Sequence, residues 1–284
     1  MRQDRPSLTA HQVAVLRAAH QVLDDPKVLE DPLALDIAGT QTASRIWLGK
    51  RKLQTRFYRY LRAFVVARSR FVEEELHSAI QRGVRQYVIL GAGLDTFAYR
   101  HPHSSYDVRI FEVDHPATQA WKRRQLAEAM IAIPEALTFA PVDFEKEALA
   151  DQLPAVGFHT EEPSFFSWLG VTMYLSRETV LKTIRSIAAC IASGSEIVFD
   201  YVVPPSSLRF SHRVVYRALK HRMRAAGEPW RSVFDPSRLV HDLKTIGFRQ
   251  VTDIGPEEIN RRFFNRRADK LRVSNSGHLI HARF

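Results

Sequence analysis

The residues of this chain with the clearest chemical meaning lie near its middle. Gly91-Ala92-Gly93 follows the apolar run Tyr87 to Leu90, Glu112 and Asp114 end a second such run, and Asp143-Phe144 closes a third. Glycines straight after a strand let a ligand approach the main chain, because no Cβ stands in the way. A tight turn with no ligand is the alternative. The third glycine of the dinucleotide fingerprint is missing, since Thr96 occupies its place, and that argues against a nicotinamide dinucleotide. Alternation along a strand puts Glu112 and Asp114 on one face. At about 20 residues past the glycines, a carboxylate there can accept from both hydroxyls of a ribose. A salt bridge to Arg109 or Lys122 is the competing use. Asp143 can accept from an adenine amino group while a neighbouring main-chain amide meets a ring nitrogen. It could equally cap a helix starting near residue 145.

Arg68 adds a charge of opposite sign. It falls on the apolar line Leu61, Phe64, Phe71 of a long helical pattern, where a guanidinium is expensive to desolvate unless an anion meets it. A ligand carboxylate held bidentately would suffice, and so would an acid of this chain.

The elements that must position these groups alternate. Helical periodicity covers 8–23, then 50–82 with Leu53, Phe57, Leu61, Phe64, Phe71 and Leu76, closed by Gly83. Short apolar runs at 87–90, 108–113, 137–142, 164–169 and 196–203 predict strands, with helices at 116–130 and 177–192 between them. The C-terminal part predicts helices at 206–226 and 236–246 and strands at 248–254 and 277–283. This order implies a Rossmann-like, doubly wound α/β fold with a mostly parallel seven-stranded sheet and an N-terminal helical cover. Ligands in such sheets bind beyond the carboxyl ends of the strands, where the glycines and acids fall. We expect one unit, with 1–85 as cover, 86–204 as nucleoside-binding core and 205–284 as substrate cover plus the last two strands.

Composition bounds the partners. The chain has 284 residues, is 45% hydrophobic and carries a net charge of +10. The charge is uneven: 15 Lys+Arg against 9 Asp+Glu in residues 1–85, 9 against 15 in 86–204, and 17 against 7 in 205–284. Solvated surface or an anionic partner would each explain the basic flanks. Charge alone permits nucleic acid, but no recognised nucleic-acid module is present, so none is expected. One cysteine, Cys190, excludes an internal disulfide framework. No secretory leader or membrane-length apolar run is visible, so a cytoplasmic protein is expected. No metal site is expected.

The ordered motifs resemble the leucine carboxyl methyltransferase-like family of class I methyltransferases that use S-adenosylmethionine (SAM), notably its bacterial branch. The resemblance spans nearly the whole chain. Ser7-Leu8-Thr9-Ala10, Asp31-Pro32-Leu33-Ala34, Ala67-Arg68-Ser69-Arg70-Phe71 and the block Val88 to Thr96 come first. Phe111-Glu112-Val113-Asp114-His115-Pro116, Pro141-Val142-Asp143-Phe144, Met173-Tyr174-Leu175 and Phe234-Asp235-Pro236 follow in order. It implies SAM as cofactor, with Arg68 on the methionine carboxylate and Gly91 and Gly93 beneath the methionine chain. Asp114 would bind the ribose, while Asp143 and the Phe144 backbone would read adenine. One departure stands out. The family places Glu before the Gly of its E-G-x-x-M-Y-L pattern, and here Leu169 precedes Gly170.

Methyl transfer needs an acceptor lone pair aligned with the sulfonium methyl. A carboxylate acceptor requires no general base, whereas a phenol or alcohol benefits from one; Tyr174, Tyr201, His115 and His212 are the conceivable groups. Phe97, Tyr99 and Tyr174 could face the sulfonium or merely pack the core. The basic flanks, from the 50–70 helix and the 205–225 segment, favour an anionic small-molecule acceptor methylated on oxygen. A SAM-binding protein without catalysis is the alternative.

Overall fold

The computed structural model describes residues 8–39, 41–100, 108–144, 147–208, 213–214, 216–217, 220–221, 224 and 229–284. Helices α1 (Leu8–Leu23), α2 (Ala34–Ile37), α3 (Thr42–Leu48), α4 (Lys50–Leu53) and α5 (Arg56–Gln81) come first. The single helix expected over 50–82 is therefore two. Thr55 is extended, at φ −63° and ψ 151°, and its hydroxyl donates to the Lys52 carbonyl at 2.7 Å. A threonine hydroxyl bonding the main chain in this way competes with the helix.

Helix α1 packs on α2, α3 and α5. A buried polar cluster anchors it. Arg62 donates to both oxygens of Asp24, at 2.6 and 2.7 Å, and His20 Nδ1 lies 2.8 Å from the same carboxylate. His20 Nε2 accepts from the Val28 amide at 2.9 Å, so the ring hydrogen sits on Nδ1 and faces Asp24. Burial alone would push Asp24 up, but the hydrogen bonds from His20 and Arg62 outweigh it and hold the carboxyl below its ordinary value. Removing one partner of such a cluster strands a buried charge, and α1 would lose its seat against α5.

Seven strands make one sheet: β1 (Gln86–Leu90), β2 (Arg109–Asp114), β3 (Leu137–Pro141), β4 (Ser164–Trp168), β5 (Glu196–Val202), β6 (Gln250–Ile254) and β7 (Gly277–Arg283). Their order is β3-β2-β1-β4-β5-β7-β6. The first five run parallel, and β7 lies antiparallel between β5 and β6. This is the Rossmann-like, mostly parallel α/β sheet that the alternating pattern predicts. Between β1 and β4 the order switches direction, so the connections leave on opposite faces and a crevice opens at the carboxyl ends.

The remaining helices are α6 (Phe97–Arg100), α7 (Pro116–Glu128), α8 (Leu149–Ala155), α9 (Arg177–Ala188), α10 (Pro236–Ile246) and α11 (Pro256–Phe263). On one face Val88, Leu90, Phe111 and Val113 pack with Leu153, Ile184 and Leu239. On the other, Tyr87, Ile89 and Ile110 pack with Ala67, Phe71 and Val72 of α5. Alternate side chains of one strand thus serve two cores, and apolar runs follow from burial on both sides.

The sequence pattern does not predict α2, α3, α6 or α11, which are short; α8 starts at Leu149, later than the helix start considered near residue 145. Over 206–226 the structure has a 3₁₀ turn at Pro205–Ser207, an extended Leu208 and helical backbone at 213–214, 216–217, 220–221 and 224; the rest of that expected helix, His212 included, lies outside the described residues. So does Ser7. Among the described residues no helix is long and apolar enough to cross a membrane.

Candidate functional site

A cavity of about 260 Å³ opens at the carboxyl ends of β1 to β4. Six of the seven residues singled out from the sequence line it: Arg68, Gly91, Gly93, Asp114, Asp143 and Phe144. They arrive from α5, the turn after β1, the end of β2 and the turn after β3. These segments are far apart in sequence and meet only because the parallel strands end at one edge.

Gly91 has φ +66°, and a Cβ there would lie 2.4 Å from Val171 Cγ2. Only glycine serves at such a position. The Gly93 amide donates to Asp114 Oδ2 at 2.6 Å, and the His115 amide donates to Oδ1 at 2.7 Å. Burial pushes the Asp114 carboxyl up, and these two amides and Lys122 offset part of the rise. Phe144 leans on Trp168 with ring centroids 6.2 Å apart. The Asp143 amide donates to Glu147 Oε2 at 2.8 Å, and α8 begins only at Leu149 with Ala148 before it. The Glu147 amide in turn donates to the Asp143 carbonyl at 2.9 Å.

Glu112 departs from expectation. It shares a strand face with Asp114 but lies deeper, fully buried, with Lys122 Nζ 2.6 Å from Oε2 and Tyr99 OH at 3.4 Å. It does not line the cavity. The salt-bridge use, weighed against ribose binding, is the one the structure adopts. Burial pushes its pKa up to about 7, with Lys122 opposing.

Helix α1 forms a wall that sequence reasoning missed, with Thr9, Ala10, Val13, Ala14 and Arg17 lining the cavity. Arg17 donates to the Leu94 carbonyl at 2.7 Å and lies 3.1 Å from Asp31, which ties α1 to the glycine turn. The signal was Arg17 itself, a cation inside an apolar helix.

Three comparisons bear on this geometry. The sequence pattern described as leucine carboxyl methyltransferase matches residues 10–188. YktD of Bacillus subtilis (strain 168), provisionally named an S-adenosyl-L-methionine-dependent methyltransferase, is 34% identical, and the match covers 99% of each chain. A protein of the same provisional name from Mycobacterium marinum is 34% identical over 70% of this chain and 67% of its own. The chain belongs to the leucine carboxyl methyltransferase family. Among solved structures, a provisionally designated methyltransferase from Thermobifida fusca shares the fold, with a TM-score of 0.62 and 16% identity over 98% of this chain and 95% of that one.

Where the methyltransferase family carries Glu, Leu169 lines the cavity, followed by Gly170. Behind them Arg68 Nη1 meets Asp200 Oδ2 at 2.6 Å, so the arginine has an internal partner as well as a place in the cavity wall. Tyr87 OH and Ser167 Oγ, 2.8 Å apart, form a buried hydroxyl pair in the same wall.

At the mouth, Tyr174, Leu175, Pro229 and Arg231 face the cavity. The Arg231 amide donates to the Met173 carbonyl at 2.8 Å and Ser232 Oγ to the Thr172 carbonyl at 2.9 Å. These bonds staple the 229–232 segment onto the 172–174 turn. Of the conceivable bases, Tyr174 and His115 line the cavity, whereas Tyr201 is committed to Asp253 at 2.7 Å. Of the aromatics, Phe97 and Tyr174 line it, and Tyr99 sits against Glu112 instead.

Proposed function

We propose that this chain transfers the methyl group of SAM to an oxygen of a small anionic acceptor, a carboxylic acid or an acidic phenol. SAM is the cofactor and the chain a SAM-dependent methyltransferase. One observation carries the reading: an arginine, two glycines, two aspartates and a phenylalanine converge on one cavity at the topological switch of the sheet.

The residues fit the donor. Arg68 faces the carboxylate of its methionine end. The turn at Gly91 and Gly93 lets that chain lie against the backbone. Asp114, preset by two amides, accepts from the ribose, and Asp143 and the Phe144 amide meet adenine. SAM, when bound, would supply an electrophilic methyl carbon whose sulfur is the leaving group, departing as the thioether S-adenosylhomocysteine as the acceptor oxygen takes the methyl in line. A carboxylate acceptor arrives deprotonated, so the protein has only to align it and exclude water. Arg231 at the mouth supplies positive charge for such an acceptor, and Tyr174 bounds the space beside it. We read the three segments of the chain as one catalytic unit and place it in the cytoplasm, where the free thiol of Cys190 is at home.

Incubation with methyl-labelled SAM and a panel of carboxylic acids, phenols and neutral alcohols tests the proposal. Label should pass to acidic acceptors; transfer confined to neutral ones would overturn the acceptor class. A donor-binding protein without catalysis is the second reading, favoured by Leu169 in place of an acid. Tight binding of SAM with no transfer to any acceptor in the panel would select it.

A further inference from the structure

The donor's amino-acid end, in the reading just given, faces a corner that lacks the family's acidic side chain. We infer that Asp200, inside β5 near its carboxyl end and outside the cavity wall, is the positioning residue for that end. It holds Arg68 and the Gly170 turn in the arrangement that receives the donor's carboxylate.

Asp200 is completely buried, and each of its acceptors is engaged. Oδ2 takes Arg68 Nη1 at 2.6 Å, Oδ1 takes the Gly170 amide at 2.6 Å, and the main-chain oxygen takes Thr172 Oγ1 at 2.6 Å. One residue therefore fixes a helix side chain and both ends of a three-residue turn. Buried, charge-assisted bonds of this kind are strong and directional.

Arg68 is itself almost buried, at 6% exposure, and among the described residues Asp200 is its hydrogen-bonding partner. A guanidinium has five N–H donors, and those not turned to Asp200 remain for a ligand in the cavity it lines. Its plane lies against Gly170, where φ is +75° and a Cβ would come within 2.7 Å of Arg68 Nη2. The glycine is required by the guanidinium as well as by the turn.

A Glu at 169 would present its carboxylate to the ligand. Leu169 presents none, and Asp200 balances Arg68 from behind instead. The Arg68–Asp200 pair is then neutral overall, with the guanidinium in the cavity wall and the carboxylate behind it. The carboxylate of a zwitterionic end fits on the Arg68 donors that Asp200 does not take.

The test compares two ligands of the full-length protein, S-adenosylhomocysteine and 5′-methylthioadenosine, by calorimetric titration. The second keeps adenosine and sulfur but has no amino-acid end. Asp200→Asn should weaken S-adenosylhomocysteine about tenfold or more and leave methylthioadenosine within about twofold, with the circular dichroism spectrum unchanged. An equal loss for both ligands, or a loss for neither, would overturn the inference. If Asp200→Asn does not fold, Asp200→Glu, which keeps the charge but displaces the carboxylate, should give the same split; failure of both to fold would assign Asp200 a purely structural role and overturn it as well. Absence of S-adenosylhomocysteine binding by the unaltered protein is a different result, and it would strike at SAM dependence itself.

Discussion

The main-chain N–H of Gly93 donates to Asp114 Oδ2 at 2.6 Å, joining the glycine turn to the end of the neighbouring strand. The acid assigned to the ribose is thus already aimed by the loop assigned to the methionine chain. Preset geometry of this kind spares the ordering cost of binding. Asp114→Asn should weaken S-adenosylhomocysteine by about tenfold or more. Because burial holds the Asp114 carboxyl above the ordinary range, affinity in the unaltered protein should begin to fall, on acidification, at a higher pH than an ordinary aspartate would give. Titrations between pH 4 and 8 check both statements, and a pH-independent affinity would contradict the second.

Glu112 supplies the contrasting case. It sits two residues from Asp114 but outside the cavity, paired with Lys122. Glu112→Gln should leave S-adenosylhomocysteine affinity within about twofold while lowering stability by about 1–3 kcal/mol, the cost of an unpaired buried group. The sign of its pH effect follows from linkage. Its folded pKa is raised to about 7 from 4.5, so the folded state binds more protons and this residue's contribution to stability falls as pH rises from about 4.5 to about 7. Urea unfolding across that range should show the fall, and Glu112→Gln should flatten it.

Gly91→Ala probes the turn. The added Cβ would meet Val171 Cγ2 at 2.4 Å in a left-handed backbone. We expect loss of donor binding together with a lowered melting temperature. Adding Val171→Ala should recover part of the melting temperature, since it removes the clash but not the backbone strain.

Arg231→Ala addresses the acceptor. With an acidic acceptor from the labelled panel, KM for that acceptor should rise about tenfold, the scale of one lost charge-assisted contact. Affinity for S-adenosylhomocysteine should not change. Equal loss for donor and acceptor would contradict a role confined to the mouth.

The sheet was legible because its central strands β1, β2, β4 and β5 are buried on both faces and so read as apolar runs separated by longer helical periods. That Gly91, Gly93, Asp114 and Asp143 would meet was legible for a related reason, since parallel strands end at one edge of the sheet. Short helices such as α2 and α6 were not legible, because four residues hold no period. Arg68 stood out as a charge on an apolar line, yet its partner Asp200 lies 132 residues away, and only folding reveals that pairing. Glu112 shows the limit of strand alternation: two acids on one face differ in depth, and depth decides between a salt bridge and a ligand. Helix α1 as a cavity wall was equally hidden, since its seat depends on Arg62 and Asp24 meeting across the N-terminal helices.

The central claim is that a nucleoside donor lies across the carboxyl ends of β1 to β3, held at one end by Arg68 and at the other by Asp114 and Asp143. Calorimetric titration of S-adenosylhomocysteine into the unaltered protein and into the doubly substituted Asp114→Ala, Asp143→Ala form tests it directly. One site per chain is expected, with a loss of about 100-fold or more in the double variant and its fold retained. Equal affinity in the two proteins would contradict it.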